Sequence, residues 1–277
     1  MRPERIETKL RSAGQQDDEK IDLGETALLL AALDRPKVKI TPYREHLQKI
    51  AEDVQNFIPV GATHNITRRA EALAKVIGND MGYCGDTLTY NDPQNANFMR
   101  IIDRRKGLPV GLAIIYLSIA QKLKWNASGL NFPGHFLIRL GRGPSRIITD
   151  PFNKGAECKA SDLRKLLQQM FGKEAKIRPN HYTPTSNRDT LIRLLNNIKL
   201  RAQESSDFKR AVDMIERMLI IAPKRFNLLY EAGVIYARMG NLKFSAKALK
   251  KYLTSNDQII NQDAAKTLLQ KVCSKLN

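Results

Sequence analysis

The chain has 277 residues, of which 42% are hydrophobic and 27% charged, with 46 Lys and Arg against 28 Asp and Glu and a net charge of +18. That balance excludes wholesale disorder, and the length leaves room for two domains. The best apolar window, 108–120, is shorter than the ~20 residues of a membrane helix, and the crowded charges Arg2, Glu4, Arg5, Glu7, Lys9 and Arg11 leave no secretory apolar segment at the start.

Cys84, Cys158 and Cys273 are widely spaced and form no CxxC pair, so no disulfide framework, metal site or cofactor is expected. The expected setting is cytoplasmic. Residues 1–187 hold 29 basic and 20 acidic side chains, whereas 188–277 hold 17 and 8, the same surplus in half the length. Such a charge favours anionic partners, nucleic acid among them, and equally serves solubility.

Residues 1–20 contain a polar run over 12–20 and read as a mobile tail. Asp22 is placed to cap a first helix whose apolar residues include Leu23, Ala27, Leu28 and Leu30, ending at Asp34-Arg35-Pro36. Thr41-Pro42 opens a second helix with Leu47, Ile50 and Val54 spaced for burial, and a third covers about 63–76. After the turn-rich 90–95, a short helix spans 97–105, and 109–123 reads as a helix apolar nearly all round, the mark of a buried central element. Extended runs follow at 129–132, 135–140 and 146–149, the last two joined as a hairpin through Gly141-Arg142-Gly143-Pro144. A helix over 161–170, capped by Ser161, completes an α+β domain spanning 21–182.

Residues 183–187 read as a linker to an all-helical domain over 188–277. There a 34-residue offset matches Leu195 with Leu229, Ala211 with Ser245, Ile215 with Leu249 and Met218 with Tyr252. Gly233, Tyr236 and Gly240 stand where a tetratricopeptide repeat places its Gly, Tyr and turn Gly, while Lys199 and Ala202 depart from that pattern in the first unit. One good repeat, one degenerate repeat and a closing helix over 262–276 are expected.

Four segments gather chemistry-bearing residues: Tyr90-x-Asp92-Pro93-x-Asn95, Arg104-Arg105-x-Gly107-x-Pro109, Phe132-Pro133-Gly134-His135-Phe136 and Thr149-Asp150-Pro151-Phe152. In their order and spacing they resemble the SirB-type transglutaminase-like family, from about residue 20 to the end of the chain. The resemblance implies a core of the transglutaminase and papain-like superfamily, where a Cys at the start of a buried helix, a His and an Asp form an acyl-transfer triad. A thiolate gains from a helix N-terminus, a His takes its proton and a carboxylate orients the ring. His135 opens one expected strand and Asp150 ends the next, so an antiparallel hairpin brings them together.

The helix start, however, reads Pro109-Val110-Gly111, without Cys, Ser or Thr; the family commonly carries a Ser near Gly111. Cys84 is the remaining thiol that a loop can bring to the site. Gly134 is expected to let a ligand backbone come close. Asp92 and Asn95 fit a turn or a binding surface, and Arg104 and Arg105 fit a cationic helix end or a binding surface.

The reading that follows is a degenerate transglutaminase-like protein that binds a protein or peptide partner through its repeat-like tail. Two alternatives stay open: an acyl hydrolase or transferase using Cys84 or a water activated by His135 and Asp150, and a nucleic-acid binder using the basic surface, for which no recognised binding motif is present. Oligomeric state is not legible.

Overall fold

The computed structural model describes residues 3–255 and 260–276. The chain divides into two compact units, the first comprising residues up to Lys9 with Gln16–Leu194, the second Leu10–Gln15 with the residues from Leu195 onward. Where the sequence predicts a mobile tail, Pro3–Gln15 form helix α1. Ile6, Leu10 and Ala13 recur at helical spacing and all three are buried, a stripe of three that ten intervening polar and small residues conceal.

In the first unit, α2 (Leu23–Leu33) starts where expected, with Asp22 Oδ1 accepting the Glu25 amide at 2.8 Å. Helix α3 spans Thr41–Phe57, and α4 (Ile66–Leu73) continues as a π-helical turn through Ala74–Asp80. Strand β1 (Cys84–Gly85) pairs in parallel with β2 (Lys106–Gly107), on either side of a 3-10 turn at Pro93–Ala96 and α5 (Phe98–Arg104). Helix α6 (Pro109–Lys122) has every residue from Pro109 to Ala120 buried, as an all-round apolar pattern requires.

The main sheet contains β3 (Ala127–Leu130), β4 (Leu137–Arg142), β5 (Ser145–Asp150), β6 (Ala156–Glu157) and, beyond helix α7 (Ala160–Phe171), β7 (Pro184–Thr185). Its order is β6-β5-β4-β3-β7 with antiparallel neighbours throughout. The expected hairpin is β4–β5, in which Ile138 pairs with Thr149. Three expectations need correction. His135 does not open a strand: the His135 amide donates to Phe132 O at 2.9 Å, closing a turn through Pro133 and Gly134, whose φ of 69° is left-handed. Helix α7 starts one residue before Ser161 and is held by Asp162, which accepts the Lys159 amide at 3.0 Å. The stretch read as a linker supplies edge strand β7, and the Asn187 amide at the start of the next helix donates to Asp18 Oδ2 at 2.8 Å.

Helix α8 (Asn187–Glu204) leads into the second unit, which adds α9 (Phe208–Ile221), α10 (Asn227–Arg238), α11 (Leu242–Leu253) and α12 (Gln262–Ser274). The repeat signature has a direct steric cause. A Cβ on Gly233 would lie 2.7 Å from Leu249, and Ser245 Oγ donates to the Gly233 carbonyl at 2.7 Å, so only small residues permit this crossing of α10 and α11. In the degenerate unit, Lys199 occupies the Gly position, is buried, and pairs with Glu231.

Candidate functional site

The β4–β5 hairpin sets His135, just before β4, beside Asp150 at the end of β5. His135 Nε2 lies 2.9 Å from Asp150 Oδ1, and both side chains are largely buried. The same carboxylate oxygen accepts the Phe152 amide at 2.9 Å, which folds Pro151–Asn153 into a 3-10 turn. That turn places the Phe152 ring edge-on to the imidazole, with centroids 5.7 Å apart. Phe152 in turn presses on β1, where a Cβ on Gly85 would lie 2.3 Å from its ring. With the carboxylate on Nε2, a neutral imidazole carries its proton there and leaves Nδ1 as the acceptor.

The first turn of α6 offers no nucleophile. Leu108 donates its amide to Asn95 O at 2.9 Å, and Pro109, Val110 and Gly111 are all buried. A Cβ on Gly111 would meet Ile101 Cδ1 at 2.4 Å, so this position faces α5. Tyr116, two turns on, is fully buried, and its hydroxyl has no hydrogen-bond partner among the described residues. Burial, followed by the nearby charges of Asp150 and Cys84, pushes the Tyr116 hydroxyl well above the usual phenol range. By helical spacing Pro109 and Ala113 share the Tyr116 face, so Pro109 stands where a nucleophile on that face would be.

Of the three thiols, Cys84 is half-buried on β1, its amide donating to Arg105 O at 3.0 Å. Cys158 follows β6, and burial, followed by the Asp150 charge, pushes its thiol up to about 12, which keeps it protonated at neutral pH. Cys273 lies on α12 in the second unit. Among the described residues no thiol or hydroxyl is hydrogen-bonded to His135, and no group of three or more His, Cys, Asp or Glu is arranged to hold a metal.

The other sequence-predicted residues separate into two groups. Asp92 caps the 3-10 turn by accepting the Gln94 amide at 2.8 Å. Asn95, fully buried, donates to Thr89 O at 2.6 Å and accepts from Arg104 Nη1 at 2.7 Å. Arg104 also donates to Asp86 Oδ2 at 2.9 Å, so it turns inward to a carboxylate instead of capping α5. Hydrogen bonds from the Thr89 hydroxyl and amide, with smaller help from Asn95 and Arg104, hold Asp86 below the usual carboxylate range. Arg105 leaves in another direction, toward His46 and Tyr83. The space over Gly134, expected to admit a ligand backbone, holds Met170 of α7: a Cβ there would lie 2.3 Å from its sulfur. Sequence reasoning passed over Gly85, Asp86, Tyr116 and the packing role of Phe152. Only Gly85 carried a local signal, as a glycine in an extended segment.

With this geometry in hand, comparison with known proteins gives two sequence-family matches, to the transglutaminase-like superfamily over residues 41–196 and to the tetratricopeptide repeat over 198–270. The chain is 29% identical to a UPF0162 protein of Xylella fastidiosa over 240 residues, covering 86% of this chain and 85% of that one. It is 26% identical to a UPF0162 protein of Vibrio cholerae over 227 residues, covering 81% and 82%. Human F-box only protein 21 is 24% identical over 181 residues, 61% of this chain but 28% of that protein. No solved structure matches. These relatives bear out the SirB-type resemblance and the α+β domain followed by helical repeats.

Proposed function

The chain belongs to the transglutaminase-like superfamily, and from that premise we propose that it is a degenerate, non-catalytic member acting as a protein-interaction module. The observation that carries this reading is the first turn of α6, where Pro109, Val110 and Gly111 leave no thiol or hydroxyl to form an acyl intermediate. The His135–Asp150 pair persists, yet a base and its orienting acid without a nucleophile transfer nothing by the superfamily route.

The helical repeats supply the partner surface. A cleft of about 730 Å³ beside α10 and α11 is lined by Phe226, Asn227, Tyr230, Glu231 and Tyr252, and the Tyr230 and Tyr252 rings lie 5.5 Å apart. Aromatic side chains with polar neighbours in a concave surface suit a peptide side chain. Affinity capture with the full-length chain, with and without nuclease, tests the reading. A nuclease-resistant protein partner is expected, held at least tenfold more weakly by Tyr230→Ala and equally well by His135→Ala. Capture that vanishes with nuclease would instead make the basic surface the functional feature.

A second reading rests on the intact His135–Asp150 hydrogen bond: the imidazole can activate a water as a general base, giving a hydrolase that needs no thiol. Turnover abolished by His135→Ala would establish it.

A further inference from the structure

The two arginines that follow one another at the end of α5 meet opposite electrostatic fates. Arg104 lies 2.9 Å from Asp86 and 3.9 Å from Asp92. Arg105 has no carboxylate within ion-pair distance among the described residues, although a guanidinium cannot shed its charge. Its backbone is left-handed, with φ 58°, a conformation that non-glycine residues seldom adopt. The β1–β2 pairing and the hydrogen bond from the Cys84 amide to Arg105 O fix it there. The turn sends the Arg105 side chain across the Tyr83 ring, with Cζ 4.7 Å from the centroid, and brings Nη1 to His46 Nε2 at 2.5 Å and to the Tyr83 hydroxyl.

We propose that Arg105, together with His46 and Tyr83, forms an oxyanion-binding site that takes the carboxylate or phosphate group of a ligand. A donor account supports it. Tyr83 Oη accepts from Arg105 and lies 2.9 Å from His46 Nε2, to which it donates. The guanidinium can only donate, so a neutral His46 beside Nη1 presents an unprotonated Nε2 and carries its ring proton on Nδ1. Nε and Nη2 of Arg105 find no acceptor among the described residues, and the residue is partly exposed. Tyr83 is fully buried, so the ring under the guanidinium is fixed in the interior, while Arg105 as a residue is partly exposed. A guanidinium held in one orientation, with paired donors unused, is preorganised for a planar or tetrahedral oxyanion.

The surrounding charges agree. Asp103, the acid that acts on Tyr83, is already engaged by Arg35 at 2.7 Å and by the Tyr43 hydroxyl at 2.9 Å. Burial, followed by the charge of Arg105, pushes His46 down to about 4, so the imidazole stays neutral beside an uncompensated cation. The site is independent of whether His135 and Asp150 support any chemistry.

The test follows the His46 ring resonances by NMR at fixed pH and constant ionic strength while inorganic phosphate or, separately, acetate is added to the full-length protein. A saturable shift is expected with at least one of them, weakened at least tenfold in Arg105→Gln and severalfold in Arg105→Lys, which keeps the charge but loses the fork. Saturation with phosphate alone assigns a phosphate group, with acetate alone a carboxylate, and with both an oxyanion fork that does not discriminate. A shift that grows linearly with both, or one unchanged in Arg105→Gln, overturns the site. Should Arg105→Gln fail to fold, the same comparison rests on Arg105→Lys, where an unchanged saturable shift overturns it.

Discussion

The two regions that the proposed reading compares differ in what they offer chemically. On one side His135 and Asp150 remain hydrogen-bonded, with Phe152 against the imidazole and Gly85 beneath Phe152. On the other, the first turn of α6 keeps its place in the core but offers only Pro109, Val110 and Gly111. The difference teaches what the fold itself requires. Asp150 both holds His135 and caps the turn that follows β5, so losing it leaves two part-buried donors without an acceptor. A nucleophile at the start of α6 makes no such contribution, and the hydrophobic packing of that turn is complete without one. On the reading proposed above, the carboxylate is kept by its part in the fold, whereas a nucleophile there would be kept only by a reaction.

Breaking the retained side has the largest expected effect. Asp150→Ala should lower unfolding free energy by roughly 2–4 kcal/mol, because both the imidazole and the Phe152 amide lose their acceptor; denaturant titration measures it, and a change under 0.5 kcal/mol would detach the pair from the fold. Gly85→Val comes next, at about 1–3 kcal/mol, since the added carbon must displace Phe152. The His135 ring resonances should shift with it, and unmoved resonances would separate Phe152 packing from His135 placement.

At the start of α6, Gly111→Ser should cost about 1 kcal/mol, the low end of the cost of overpacking, because its Cβ meets the terminal Cδ1 of the buried Ile101. It should yield no acyl transfer, because that position faces α5; turnover gained by this variant would show that the family's Ser reaches His135 after all. A pH dependence is expected outside the site. His46 is pushed down from 6.5 to about 4, so the unfolded chain binds more protons than the folded one between those values. Its contribution is complete above pH 6.5 and is lost as pH falls toward 4, and His46→Gln should flatten that part of the stability curve.

Much of this contrast was legible in the sequence. The absence of a nucleophile at 109–111 needed only the helix start, and the meeting of His135 with Asp150 followed from one hairpin turn. The long apolar run of α6 and the repeat positions of Gly233 and Ser245 were also legible, because periodic patterns report burial directly. What escaped notice depends on contacts far apart in the chain. Gly85 meets Phe152, and Tyr116 responds to both Asp150 and Cys84, although no local pattern links them. Helix α1 hid behind its polar composition, and β7 is two residues long, with Pro184 able to sit there because it lies on an edge.

The central claim is that the retained pair has no reaction to serve. Incubating the full-length protein with an activated acyl ester, and following both free acid release and intact mass beside His135→Ala, tests it most directly. The account predicts no acyl adduct and the same slow background release in both proteins. An adduct, or release that disappears with His135, would contradict it.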